Sequence, residues 1–186
     1  MGKGQDLERS ISRQLSLWWS DGKADDWFWR SSQSGGRATQ RAKVGKSTLN
    51  SAGDLCAQCA EGQKLLDLTT WELKRGYPKV SIADIFEKKK GGFHEFLEQA
   101  EKSASLAGTP AFAVIHKRDR RDAVVYISSL YGSYPIIDSL ESFLNSTNRE
   151  WLLSLWDQHY AEKKQEIFGF LCELHHGNAR ARKTSR

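Results

Sequence analysis

Residues 53–74 read GDLCAQCAEGQKLLDLTTWELK, and the reading of this stretch decides what fold to expect. Leu68, Thr70, Glu72 and Lys74 alternate with Thr69, Trp71 and Leu73. A period of two marks a strand and puts Glu72 and Lys74 on one face. The whole stretch then reads as a β-hairpin, with one strand from Gly53, a turn near Glu61-Gly62 and a second strand ending at Lys74. Pairing of those strands brings Asp54 to Glu72 and Lys74, eighteen and twenty residues downstream. Two carboxylates so placed can hold a hard divalent cation such as Mg²⁺, which favours oxygen ligands and keeps several waters. A lysine beside them can orient or deprotonate the attacking water, and the metal offsets charge developing on a phosphoryl group. A D…E-x-K pattern also arises by chance in a solvated hairpin, so the rest of the chain sets its weight.

Upstream, Leu7, Ile11, Leu15 and Trp18 recur at helical spacing and mark a core-facing stripe. Glu8 lies about 100° round the helix from Leu7, at the edge of the buried face, where a carboxylate can point into a cleft as a third acid. Trp27 to Arg30 read as a short strand, and Ser34-Gly35-Gly36-Arg37 as a tight loop with exposed backbone. The order is K-G-x-x-L-E-R from Lys3, then R-x-x-x-S-G-G from Arg30, then Gly53-Asp54, then Glu72-x-Lys74. Further on stand Gln99, Ala104, Gly108 and Pro110, an apolar strand through Ile115 and the basic pair Lys117-Arg118.

Over roughly residues 3–128 this pattern resembles the PD-(D/E)XK nucleases, specifically the archaeal-type Holliday junction resolvases and related phage-borne endonucleases. Gly53 stands where that superfamily usually has proline. The resemblance implies an α/β fold: a restriction-endonuclease-like core with a central mixed β-sheet flanked by helices, here followed by a helical C-terminal extension. It implies a Mg²⁺-dependent DNA endonuclease, with Mn²⁺ able to substitute and zinc not expected. Asp54 and Glu72 are then metal ligands, joined by the Leu73 backbone carbonyl. Lys74 positions the attacking water, and Glu8 is an accessory catalytic carboxylate. Arg30, Ser34, Gly35, Gly36 and Arg37 become candidate DNA contacts, since absent side chains allow close approach and arginine pairs with phosphate. Gln99 joins that set on the resemblance alone. Resolvases of this kind act as pairs, so a homodimer on double-stranded or branched DNA is expected.

Composition agrees with a polyanion as partner. The net charge is +5 and the pI about 9.1. The basic residues cluster at Arg37 to Lys46, Lys88 to Lys90, Lys117 to Arg121 and in the tail from Arg180. Separate basic patches suit DNA, although any one of them can simply solvate a turn. Hydrophobic content of 39% with seven tryptophans argues for a folded core. No apolar run approaches the ~20 residues that span a bilayer, and the polar N-terminus has no signal-peptide core. An intracellular, DNA-associated protein is the expectation, with no membrane partner, and the resemblance to phage-borne endonucleases implies a phage-encoded one.

Two other motifs compete. Cys56-x-x-Cys59 with Cys172 and His175 has the residue types of a zinc site, but three cysteines without a secretion signal read more simply as reduced thiols. Cys56 then lines the site or core, and Cys59 sits near the hairpin turn. Gly45-Lys46-Ser47-Thr48 resembles the end of a P-loop, yet Gln40 occupies its first glycine position, so no nucleotide cofactor is expected. Downstream, Val80 to Phe86 read as a short helix, Phe93 to Ala107 as an amphipathic helix stopped by Gly108 and Pro110, and Ala111–His116 and Ala123–Ser128 as strands. Residues 138–144 and 150–166 read as helices, and 167–174 as a helix or last strand. The expected organisation is a nuclease core over 1–131, an extension over 132–178 that packs on the core or dimerises, and a basic tail over 179–186. Homing, nicking or restriction-type endonucleases share the same motifs. A DNA-binding module that has lost cleavage is the alternative of another class.

Overall fold

The structure, a computed structural model, describes residues 3–31, 53–129, 134–146 and 149–165. The loop candidates Ser34 to Arg37, the P-loop-like Gly45 to Thr48, Cys172, His175, residues 167–174 and the tail over 179–186 lie outside them. The N-terminal stripe forms helix α1 (Lys3–Trp19). Its apolar residues Leu7, Ile11 and Leu15 are buried, and each stabilises the fold by about 1.5–3 kcal/mol through the apolar surface it removes from water. Strand β1 (Phe28–Arg30) follows and pairs antiparallel with β2 (Leu55–Ala57).

The expected hairpin is not what forms. Between β2 and the next strand lies helix α2 (Ala60–Leu68), which runs directly into β3 (Thr69–Arg75). Leu65 and Leu68 are spaced for one helix face and are both fully buried, so the apolar residues that looked like strand belong to a helix. Cys59 is not at a hairpin turn but caps α2, its Sγ accepting from Gly62 N at 3.3 Å. Consequently β2 takes β1 as its partner and meets β3 only at its entry. There Asp54 N donates to Trp71 O at 2.8 Å. Gly53 just before has φ of +80°, and a Cβ there would lie 2.6 Å from Trp71 O. Proline, locked near φ −65°, cannot make this turn, which accounts for the departure from the superfamily's usual residue.

Helix α3 (Asp84–Glu87) and the long α4 (Phe93–Ala107) lead into β4 (Ala111–Lys117), which lies parallel to β3. Gly108, in the left-handed region at φ +72°, ends α4 as the stop signal predicts. Strands β5 (Val124–Ile127) and β6 (Ile136–Ser139) extend the sheet antiparallel, in the order β3-β4-β5-β6. Strand β6 was not anticipated from sequence; it leads into α5 (Leu140–Asn145). Residues 149–165 form a further helix, α6.

The architecture is α/β, a four-stranded mixed sheet flanked by helices, of the restriction-endonuclease kind. Strand β3 is covered on both faces. Trp71 and Leu73 join the cluster that contains α1 and also takes Leu152 and Leu155 of α6, while the opposite face lies under α4. Among the described residues no helix is long and apolar enough to cross a membrane.

Candidate active site

Strand alternation puts Glu72 and Lys74 on the α4 face of β3, as expected, and α4 buries them. Glu72 is 4% and Lys74 9% exposed. A buried carboxylate is costly unless its oxygens are satisfied. Here Oε2 accepts from Lys74 Nζ at 2.9 Å and from Gln99 Nε2 at 3.2 Å, and Oε1 accepts from Ser103 Oγ at 2.7 Å. Lys74 Nζ also donates to Gln99 Oε1 at 2.9 Å. Gln99, suggested by resemblance alone, thus sits in the centre of the cluster as a bridge between acid and base.

Asp54 arrives from the other direction. It stands at the edge of β3 that no strand among the described residues pairs with, where its Oδ2 accepts from Leu73 N at 2.7 Å. In an extended strand the N–H and C=O of one residue point to the same edge, so the Leu73 carbonyl faces the Asp54 side as well. Burial raises the Asp54 pKa to about 6, and the nearby Glu72 carboxylate adds to the rise. The Leu73 N–H and the Lys74 ammonium pull the other way, and Glu8 contributes the smallest upward push. Asp54, Glu72 and Lys74 are therefore electrostatically one group, although the strands carrying them do not form a hairpin.

Glu8 reaches this region from α1. Its pKa is raised by burial, against which Arg30 acts. Arg30 Nη1 is 3.8 Å from Glu8 Oε2, within ion-pair range but beyond hydrogen-bond reach, and that oxygen is buried without a hydrogen-bond partner. Arg30, expected to meet DNA, is thus turned to Glu8. Cys56 does not enter the acidic cluster; its Sγ faces the Arg30 carbonyl at 3.7 Å.

The chain matches the model of a family described as phage putative PDDEXK endonuclease over residues 1–168. The chain belongs to that family. No curated protein and no solved structure matches it. Membership makes this endonuclease a phage-type PD-(D/E)XK nuclease, with DNA as the substrate its family acts on.

Two neighbours of the cluster were given no part in the site by the sequence reading. Ser103 lies four residues after Gln99, one helical turn along the same face, a spacing that could have been read once Gln99 was in question. His116 is the β4 residue registered with Lys74, is 2% exposed, and packs on Phe96 with ring centroids 5.4 Å apart. Burial lowers its pKa; the nearby Arg118 also lowers it, while a hydrogen bond to the Gly76 backbone and Asp84 oppose the shift. No pattern in the sequence marks it.

Among the described residues no three His, Cys, Asp or Glu side chains are grouped to enclose a metal by themselves. The carboxylates nevertheless suit a cation with an open, water-completed shell. The Asp54 pKa is raised by burial and by the neighbouring Glu72 carboxylate, and Glu8 keeps an orphaned buried oxygen. A hard divalent ion held by one or two carboxylates and waters answers that donor set.

Proposed function

We propose that this endonuclease hydrolyses DNA phosphodiester bonds with Mg²⁺, or Mn²⁺ in its place, as a Holliday junction resolvase-like enzyme acting as a homodimer. The observation that carries the reading is the approach of Asp54, from the edge of β3, to the Glu72–Lys74 pair on its α4 face. Asp54 and Glu72, with the Leu73 carbonyl, would hold the cation. When bound, it supplies Lewis acidity and a nucleophilic water at neutral pH. Lys74 holds its ammonium where negative charge develops on the phosphate and orients the attacking water. Gln99 and Ser103 fix the Glu72 carboxylate, and Glu8 adds a third acid from α1. Ser34, Gly35, Gly36 and Arg37, and Arg30 once released from Glu8, would contact the DNA backbone. Residues 1–131 form the catalytic core in this reading, 132–178 an extension and 179–186 a basic tail.

The test is cleavage of four-way junctions, flaps, linear duplex and single strands in parallel with Mg²⁺, Mn²⁺ or Ca²⁺. Paired symmetrical cuts in the junction are expected with Mg²⁺, and binding without turnover with Ca²⁺. Asp54→Asn should keep or tighten DNA binding, because it removes negative charge facing the phosphates, and should abolish cutting. Lys74→Ala should retain metal binding but lose about 10²-fold or more in rate. Sequence-specific cutting of linear duplex would replace the junction reading with a restriction or nicking one. Binding without any cleavage would leave a DNA-binding module.

A further inference from the structure

At the end of β3 the chain turns through two consecutive residues with positive φ, Gly76 at +91° and Tyr77 at +47°. Glycine adopts that conformation freely. A tyrosine does not, and this one is followed by Pro78, which further restricts it. Strain of this kind persists only where the surroundings impose it. Here Val80 N donates to Tyr77 O at 3.0 Å, and the Tyr77 and Phe96 rings form a T-shaped pair, with centroids 5.0 Å apart at 72°. Tyr77 remains 53% exposed, so the strained turn leaves much of its aromatic surface in solvent rather than burying it.

Its place gives that ring a meaning. Phe96 also lies 5.9 Å from Lys74 Nζ, so a single ring separates Tyr77 from the candidate catalytic ammonium. The same end of the β3–β4 pair carries Arg75 and Lys117 in register, with Arg118 next to Lys117 and Lys79 two residues after Tyr77 in sequence. An exposed aromatic ring beside a phosphate-handling group and within a basic edge is the arrangement that receives nucleic acid bases, whose faces stack on such rings whatever their identity. In a fully paired duplex the base faces are already stacked and unavailable.

Building on the nuclease reading above, we infer that Tyr77 is a stacking platform for an unpaired base next to the cleaved phosphate, selecting DNA with unpaired or splayed nucleotides over continuous duplex. The ring supplies the contact, and the strained turn aims it. A protein surface docking on Tyr77 is the competing occupant, and it would give no dependence on bases.

Binding measured in EDTA separates this inference from catalysis. The probes are a fluorescent duplex with an internal run of unpaired thymidines, the same duplex with abasic residues in that run, and a fully paired duplex. Tyr77→Ala should weaken binding of the thymidine probe about tenfold, the scale of one base–aromatic stack, and Tyr77→Phe should bind like the parent. The abasic probe should lose as much with the parent protein, and combining it with Tyr77→Ala should cost nothing more. Tyr77→Gly relieves the backbone strain, so it should melt no lower than the parent while sharing the weakened binding. Equal affinity of parent and Tyr77→Ala for the thymidine probe overturns the inference, as does a loss that is the same on thymidine and abasic probes. Absence of Mg²⁺-dependent cleavage on every substrate would instead overturn the nuclease reading, leaving this binding result intact.

Discussion

Asp54 carries a stability cost that its chemistry explains. Its pKa in the folded protein is about 6, above the ordinary 3.8, because burial and Glu72 disfavour the charged form. The folded protein therefore holds this proton more tightly than the unfolded chain does. Stability from Asp54 is full below about pH 4 and is lost as the pH rises through about 6. Asp54→Asn has no such proton to lose and can still accept from Leu73 N. In EDTA at pH 8 the variant should be more stable than the parent by roughly 3 kcal/mol, since each pKa unit is worth about 1.4 kcal/mol. That gain should vanish near pH 4 and shrink when Mg²⁺ is added to the parent. Paired thermal melts across pH measure it, and a gap that does not change with pH would count against the raised pKa. His116 acts in the opposite sense: its lowered pKa means stability is lost as the pH falls below its ordinary 6.5, but it does so equally in both proteins. A group that destabilises the fold where the enzyme works is the expected signature of a site kept for function.

Helix α4 is the element that turns a strand pattern into a candidate site. Its apolar residues Phe93, Phe96 and Ala100 are buried against the sheet, which points Gln99 and Ser103 at Glu72. Without that cover Glu72 and Lys74 would be solvated charges with little influence on each other. Ser103→Ala removes the hydrogen bond to Glu72 Oε1, one to a charged group and therefore worth about 1.5–3 kcal/mol. Cleavage should fall and the Mg²⁺ concentration for half-maximal rate should rise, while DNA binding in EDTA stays unchanged. Ser103→Thr should restore most of the rate. Steady-state kinetics over a Mg²⁺ titration separates these outcomes, and a variant that only melts lower, with parent kinetics, would limit Ser103 to a structural part.

At the scale of the whole molecule, charge and symmetry set the expectations. A chain with a net charge of +5 and several basic clusters should bind DNA with an affinity that falls steeply with salt, by close to one power of salt concentration per phosphate neutralised. Two opposed cuts in a four-way junction need two sites related by the junction's own two-fold symmetry. Sedimentation of Asp54→Asn with a junction in EDTA should therefore give two chains per junction. One chain per junction at saturating protein would count against resolution and favour nicking.

The sequence by itself determined the acids, the lysine and their order along the chain. Period two in Thr70, Glu72 and Lys74 is a local property of the backbone, and it fixed which side chains share a face before any packing was known. The stop at Gly108 and the α1 stripe were legible for the same reason. What lies between Asp54 and Glu72 was not: Leu65 and Leu68 suit either a strand or a helix, and only packing against the core chose helix α2. With the hairpin gone, a single turn at Gly53, whose φ is +80°, decides that Asp54 reaches β3. Ser103, His116 and the exposed ring of Tyr77 belong to the tertiary structure alone, because each gains its role from a partner 25 or more residues away on another element or from a turn that no period records.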